Sequence, residues 1–129
     1  MAGNQLQVFR PGEGNTNTTQ TTGMQREELV KSTNSWVGFV KTEPKFTSGW
    51  HHHGDYDTYV YVISGELKLE FGKSGQDSCV AKPGEVAHIP KDTIHRESNP
   101  GTQEQLLFVT RVGEGAPVFN VDGPTELDN

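Results

Sequence analysis

Three consecutive histidines, His51, His52 and His53, head the stretch GWHHHGDYDTYVYVISG at residues 49–65, and His95 follows in GEVAHIPKDTIHRESN. Neutral imidazole is the commonest protein ligand for a divalent metal ion. On a β-strand successive side chains alternate between faces. His51 and His53 therefore point one way and His52 the other, with about 6.6 Å between the paired Cα atoms. Two imidazoles so placed can share one ion, and His95, just after the rigid turn Pro90-Lys91-Asp92, is the natural third ligand. The expected cofactor is one divalent metal ion per chain, and the internal position of the triple histidine, flanked by strand, sets it apart from a purification tag.

Holding three histidines around one point requires strands, and the sequence is rich in them. Short apolar or alternating runs recur at 36–42, 46–53, 58–64, 66–71, 78–81, 86–89, 95–98, 106–111 and 118–121, and turn signals such as Ser64-Gly65, Lys82-Pro83-Gly84 and Asn99-Pro100-Gly101 separate nearly all of them. Many short strands without helices predict an all-β fold, most simply a jelly-roll barrel. Residues 66–71 alternate polar with apolar, as a strand with one wet face does. Tyr59-Val60-Tyr61-Val62-Ile63 is apolar on both faces, so that strand is expected to be central and covered on its outer side, in keeping with a homodimer. Residues 24–31 are the one helical candidate, read as one or two turns. Residues 6–9 read as a short strand in an arm of the kind that packs on a neighbouring subunit.

One domain is expected from 129 residues: a polar arm at 1–31, a barrel at 32–121 and a tail at 122–129. No apolar side chain occurs from residue 11 to residue 22, so that part of the arm is expected to be mobile or extended. A net charge of -6 argues against a nucleic-acid partner, which needs clustered Lys and Arg. The single cysteine, Cys79, excludes an intrachain disulfide and fits a reducing compartment. No apolar run approaches the roughly 20 residues of a membrane helix, and the first residues lack the apolar core of a signal peptide. The expectation is a cytoplasmic protein with a small-molecule partner and no membrane association.

These residues resemble the cupin superfamily, specifically a small single-domain (monocupin) double-stranded β-helix, over most of the barrel. Of the first family motif, His51, His53 and Gly65 are in place, while Thr58 stands in the glutamate slot and Lys45 where the opening glycine would fall. Of the second, Gly84, Pro90, His95 and Asn99 are in place, with Asp92 at the turn glycine. The resemblance implies a site for iron, manganese, nickel, copper or zinc, here with three neutral histidine ligands and about three open positions. Asp57, one residue before the glutamate slot, is the candidate replacement carboxylate; a one-residue slip turns a strand side chain to the opposite face, so it ligates only if the strand is irregular there.

Cupins with three histidines and ferrous iron, the thiol and diketone-cleaving dioxygenases, bind substrate and O₂ together. An Fe(II) oxygenase acting on a small chelating molecule is therefore the first functional expectation. The alternatives are a redox-neutral metal-dependent lyase, isomerase or cyclase, and a non-catalytic module that binds a small ligand.

Other residues carry weaker expectations. Thr58 is a hydrogen-bond partner for water on the metal, and His88 a contact behind the ligands or to substrate. His52 faces away from the ion. Tyr56, Tyr59 and Tyr61 read as packing. Arg96 and Arg111 read as surface charges, or one of them grips a substrate carboxylate. Asn99 satisfies turn backbone groups, and Cys79 reads as a small buried apolar residue.

Overall fold

The computed structural model describes residues 5–18 and 20–125, so residues 1–4 of the expected arm and 126–129 of the expected tail lie outside the described residues. Ten strands run in chain order: β1 (Met24–Lys31), β2 (Ser35–Thr42), β3 (His51–His52), β4 (Asp57–Ser64), β5 (Leu67–Phe71), β6 (Asp77–Ala81), β7 (Val86–Ile89), β8 (His95–Ser98), β9 (Gln105–Val112) and β10 (Phe119–Asn120). They form two five-stranded sheets, ordered β1-β2-β9-β4-β7 and β10-β3-β8-β5-β6, with antiparallel pairing throughout. The sheets face each other across a core that includes Trp36, Val40, Val60, Val62, Leu67, Leu69, Leu107 and Val109. This is the all-β, double-stranded β-helix barrel that the strand pattern predicts, and β4 is central in its sheet between β9 and β7.

Residues 24–31 are a strand and not the expected helical turns. Eight residues alone make a marginal helix, whereas the edge of β2 offers a ladder of backbone hydrogen bonds, in register from Met24↔Thr42 to Lys31↔Trp36 around a bulge between Glu28 and Val30. Met24 and Arg26 then turn into the barrel, both buried. The sheet thus starts ahead of the expected boundary at residue 32. Residues 6–9 form no strand and leave Leu6 and Val8 exposed. The polar stretch that follows is held along β1 by polar groups: Asn15 bridges to Glu28, Gly14 N–H donates to Glu27 Oε2 (2.7 Å), and the Arg26 N–H donates to Gln20 Oε1 (2.7 Å).

Two positions that depart from the family pattern still adopt a backbone conformation that glycine favours. Lys45 and Asp92, standing where the motifs would have glycine, both adopt positive φ (59° and 55°), a conformation that costs an ordinary residue about 1–2 kcal/mol. At Asp92 the strain has a visible use. Its N–H donates to Gly54 O (2.9 Å), tying the turn before His95 to the turn after His53.

Candidate metal centre

The three expected ligands meet inside the barrel. His51 is the cross-strand partner of His95, and His53 follows two residues after His51 on the same side. All three are at most 1% exposed. Their ring centroids lie 4.3 Å (His51 to His95), 5.0 Å (His53 to His95) and 5.1 Å (His51 to His53) apart, and one nitrogen from each lies within 4.8 Å of the others.

The outward nitrogens fix which nitrogen faces inward. Nδ1 of His51 lies 3.0 Å from Gly49 O, that of His53 2.8 Å from Pro117 O, and that of His95 2.8 Å from Thr93 O. A carbonyl only accepts, so each Nδ1 carries the proton and each Nε2 keeps its lone pair, as metal-ligating histidines require. Nε2 of His51 and of His95 are buried without a hydrogen-bond partner. Burial pushes His51 down to about 3 and, with the Arg111 charge next in effect, His53 well below its usual value, so both are neutral at physiological pH. Converging imidazole nitrogens whose Nδ1 protons are already held by carbonyls fit a divalent ion.

A carboxylate that the sequence reading did not single out stands beside them. Glu97 follows His95 by two residues on β8, so the two share a face; it is 4% exposed, with Oε1 3.5 Å from His95 Nε2 and Oε2 without a partner. Burial opposes its charge, but its contact with His95 and the Arg26 guanidinium nearby outweigh that and hold it below the usual carboxylate range. The signal was present in the sequence as an acidic residue in step with His95, one pleat along.

The opposite sheet contributes two arginines. Arg26 on β1 is 1% exposed and Arg111 on β9 is 2% exposed. Each keeps two nitrogens without a protein partner, Nε and Nη2 of Arg26 and Nε and Nη1 of Arg111. Burial lowers Arg26 to about 10 against the pull of Glu97, and burial, reinforced by repulsion from Arg26, lowers Arg111 to about 9; both stay charged at neutral pH. Arg111 lies over the Trp36 ring (4.3 Å) and is the cross-strand partner of Thr58. Thr58 is buried with its hydroxyl unpartnered, on the inner face where the expected glutamate slot falls. Arg26 escaped the sequence reading because a helical reading of 24–31 gives it no inward face.

Other candidates lie elsewhere. Asp57 does not join the cluster: β4 is regular from Asp57↔Val112 to Val62↔Leu107, so with Thr58 inward Asp57 faces out, where its carboxylate pairs with His88 Nε2 (3.0 Å). His88 is stacked on Tyr59 (4.9 Å between centroids) and not behind the three histidines, but it lines the cavity that reaches His95. His52 points away from the cluster and stacks on Phe119. Tyr56 is fully buried and donates to Gly115 O (3.0 Å), while Tyr59 and Tyr61 are exposed on the outer face. Arg96 grips Glu70 and covers Trp50. Asn99 bonds the backbone of Thr42, Gln103 and Gly101. Cys79, expected inside, is exposed, because its β6 lies at the sheet edge. A cavity of about 170 Å³ reaches His95 past Leu69, Phe71 and Ile89.

A family model described as a cupin domain matches residues 38–111. Over 47 residues the chain is 40% identical to the Bacillus subtilis uncharacterized protein YdbB, a match that covers 36% of this chain and 40% of that protein. The chain therefore spans about two fifths of the length of the curated relative it matches. Among solved structures, a Klebsiella pneumoniae protein with a double-stranded β-helix domain superimposes with a TM-score of 0.72 at 19% identity, covering 91% of this chain and 98% of that one. The polyketide cyclase RemF from Streptomyces resistomycificus superimposes with a TM-score of 0.70 at 17% identity, covering 91% and 86%. Likenesses at this identity are likenesses of fold.

Proposed function

This chain belongs to the cupin family, and we propose that it is a metal-dependent enzyme acting on a small chelating molecule. The observation that supports this is the convergence of three buried imidazole nitrogens, each pinned from behind by a backbone carbonyl. A structural metal is usually closed by four protein ligands, whereas three histidines leave positions for a bound molecule. Bound there, a divalent ion supplies Lewis acidity toward an oxygen of the substrate. His51, His53 and His95 are the residues that would hold it, and Glu97, 3.5 Å from His95, would set a negative charge beside it.

The reaction class turns on Glu97. The expectation of an Fe(II) oxygenase depends on a ligand set without carboxylate; Glu97 lies outside the cluster of converging nitrogens but 3.5 Å from His95 Nε2, and a buried negative charge beside the ligands weighs against that premise. A redox-neutral lyase, isomerase or cyclase is therefore the first reading. A ferrous oxygenase is the second, supported by the three converging imidazoles. Metal analysis of the purified protein, followed by two assays, tests the choice. Proton–deuterium exchange next to the carbonyl of 2-oxo acids by the zinc- or manganese-loaded protein is the expected result; O₂ consumption with diketones or thiols by the iron-loaded protein, without exchange, would reverse the order. A protein that binds no divalent ion would end both.

A further inference from the structure

We propose that Arg26 and Arg111, on the sheet facing the histidines, form a carboxylate-binding subsite, so that the molecule taken by this barrel is a small carboxylic acid. The proposal deepens the metal-enzyme reading by naming a substrate class, and it rests on that reading only for where the other end of the acid is held.

Charge alone calls for such a ligand. Two guanidinium groups face the interior, and Glu97 is the one buried carboxylate on the strands that carry the histidines opposite them. The other buried carboxylate among the described residues, Glu27, accepts from Gly14 N–H. Two positive charges against one negative leave one uncompensated, before any metal ion adds its own. Buried charges without partners are costly, and four buried guanidinium nitrogens without hydrogen bonds are unusual in a folded protein. An anion from solution answers both deficits.

Geometry selects a carboxylate. Elsewhere in the same barrel, Arg96 holds Glu70 through Nε (3.0 Å) and Nη2 (3.1 Å), a two-pronged grip matched to the two oxygens of a carboxylate. Arg26 leaves the same pair of nitrogens, Nε and Nη2, free. Its third, Nη1, donates to Thr21 Oγ1 (2.8 Å), and Thr21 in turn donates to Asn120 Oδ1 (3.0 Å). Asn120 is the cross-strand partner of His51, so the fork is anchored to the strand that carries a metal ligand. Arg111 is held against the face of Trp36.

Binding of malonate by the full chain, with zinc and without, tests this by calorimetry. The wild type should bind malonate in preference to inorganic phosphate. Arg26→Met should weaken malonate binding at least tenfold without lowering zinc affinity, while acetylacetone, a chelator with no carboxylate, should bind the zinc form of both proteins within twofold. Arg26→Lys, which keeps the charge and loses the fork, should also weaken malonate severalfold and serves if Arg26→Met does not fold. Malonate binding within twofold of wild type in Arg26→Lys and in every folded Arg26 variant, or phosphate bound as well as malonate, would overturn the proposal. A wild type that binds no zinc yet binds malonate in an Arg26-dependent way would remove the metal reading and leave the subsite standing.

Discussion

His51 and His95 are directly opposed partners on adjacent antiparallel strands, with ring centroids 4.3 Å apart. The backbone ladder itself, not a flexible loop, thus sets the spacing of two of the clustered histidines, and the turn after the third, His53, is hydrogen-bonded to the turn before His95 through Gly54 and Asp92. Little needs to be ordered when an ion binds, a condition for tight binding.

The three histidines should act as one unit. We expect about one divalent ion per chain by elemental analysis. Alanine at His51, His53 or His95 should lower metal affinity by orders of magnitude, and alanine at His52, stacked outside on Phe119, should not. Full occupancy in His95→Ala would remove the assignment.

Carboxylate variants separate the inward from the outward acid. Glu97→Gln should reduce metal affinity about tenfold or more, in line with losses seen when groups that support a metal site are removed, whereas Asp57→Ala, which breaks only the outer pair with His88, should leave metal content intact. Thr58→Glu should tighten metal binding and close a position that a chelator needs. Metal lost from Asp57→Ala and kept in Glu97→Gln would reverse the roles given to the two acids.

Acid should destabilise the metal-free protein from near-neutral pH downward. His51 and His53 have folded-state values below the usual 6.5, because burial disfavours their charged form. The unfolded chain takes up protons below that point and the folded chain does not. Stability from this source is therefore complete above about pH 6.5 and falls by about 1.4 kcal/mol per pH unit for each such histidine as pH decreases. Urea midpoints measured from pH 7.5 to 5 should fall accordingly, and a flat profile would contradict the neutral, buried state of these rings. Metal should be released over the same descent, since protons compete for Nε2.

The outer face of β4 tests the expected homodimer. Tyr59, Tyr61 and Ile63 are each at least 40% exposed there, with Val86 of β7 beside them at 62%. Sedimentation should give a dimer, and Tyr61→Asp a monomer with unchanged metal content. A wild-type monomer at high concentration would refute the expectation.

Much of this protein was legible in one dimension because strand geometry is periodic. Alternation puts His51 and His53 on one face and His52 on the other, turn residues bound nearly every strand, and the spacing of Pro90, His95 and Asn99 marks the second half of the site. Residues 24–31 were illegible for the opposite reason: a short segment with mixed periodicity takes whichever structure its neighbours can bond, and the open edge of β2 made it a strand. That decision turned Arg26 inward. Glu97 lay in plain step with His95, but whether a strand's polar residue faces a core or water depends on what covers it, and only the closure of one sheet over the other answers that. Local spacing thus determined the histidine cluster, whereas the charged partners around it were decided by tertiary structure, because electrostatics acts across the barrel between residues far apart in the chain.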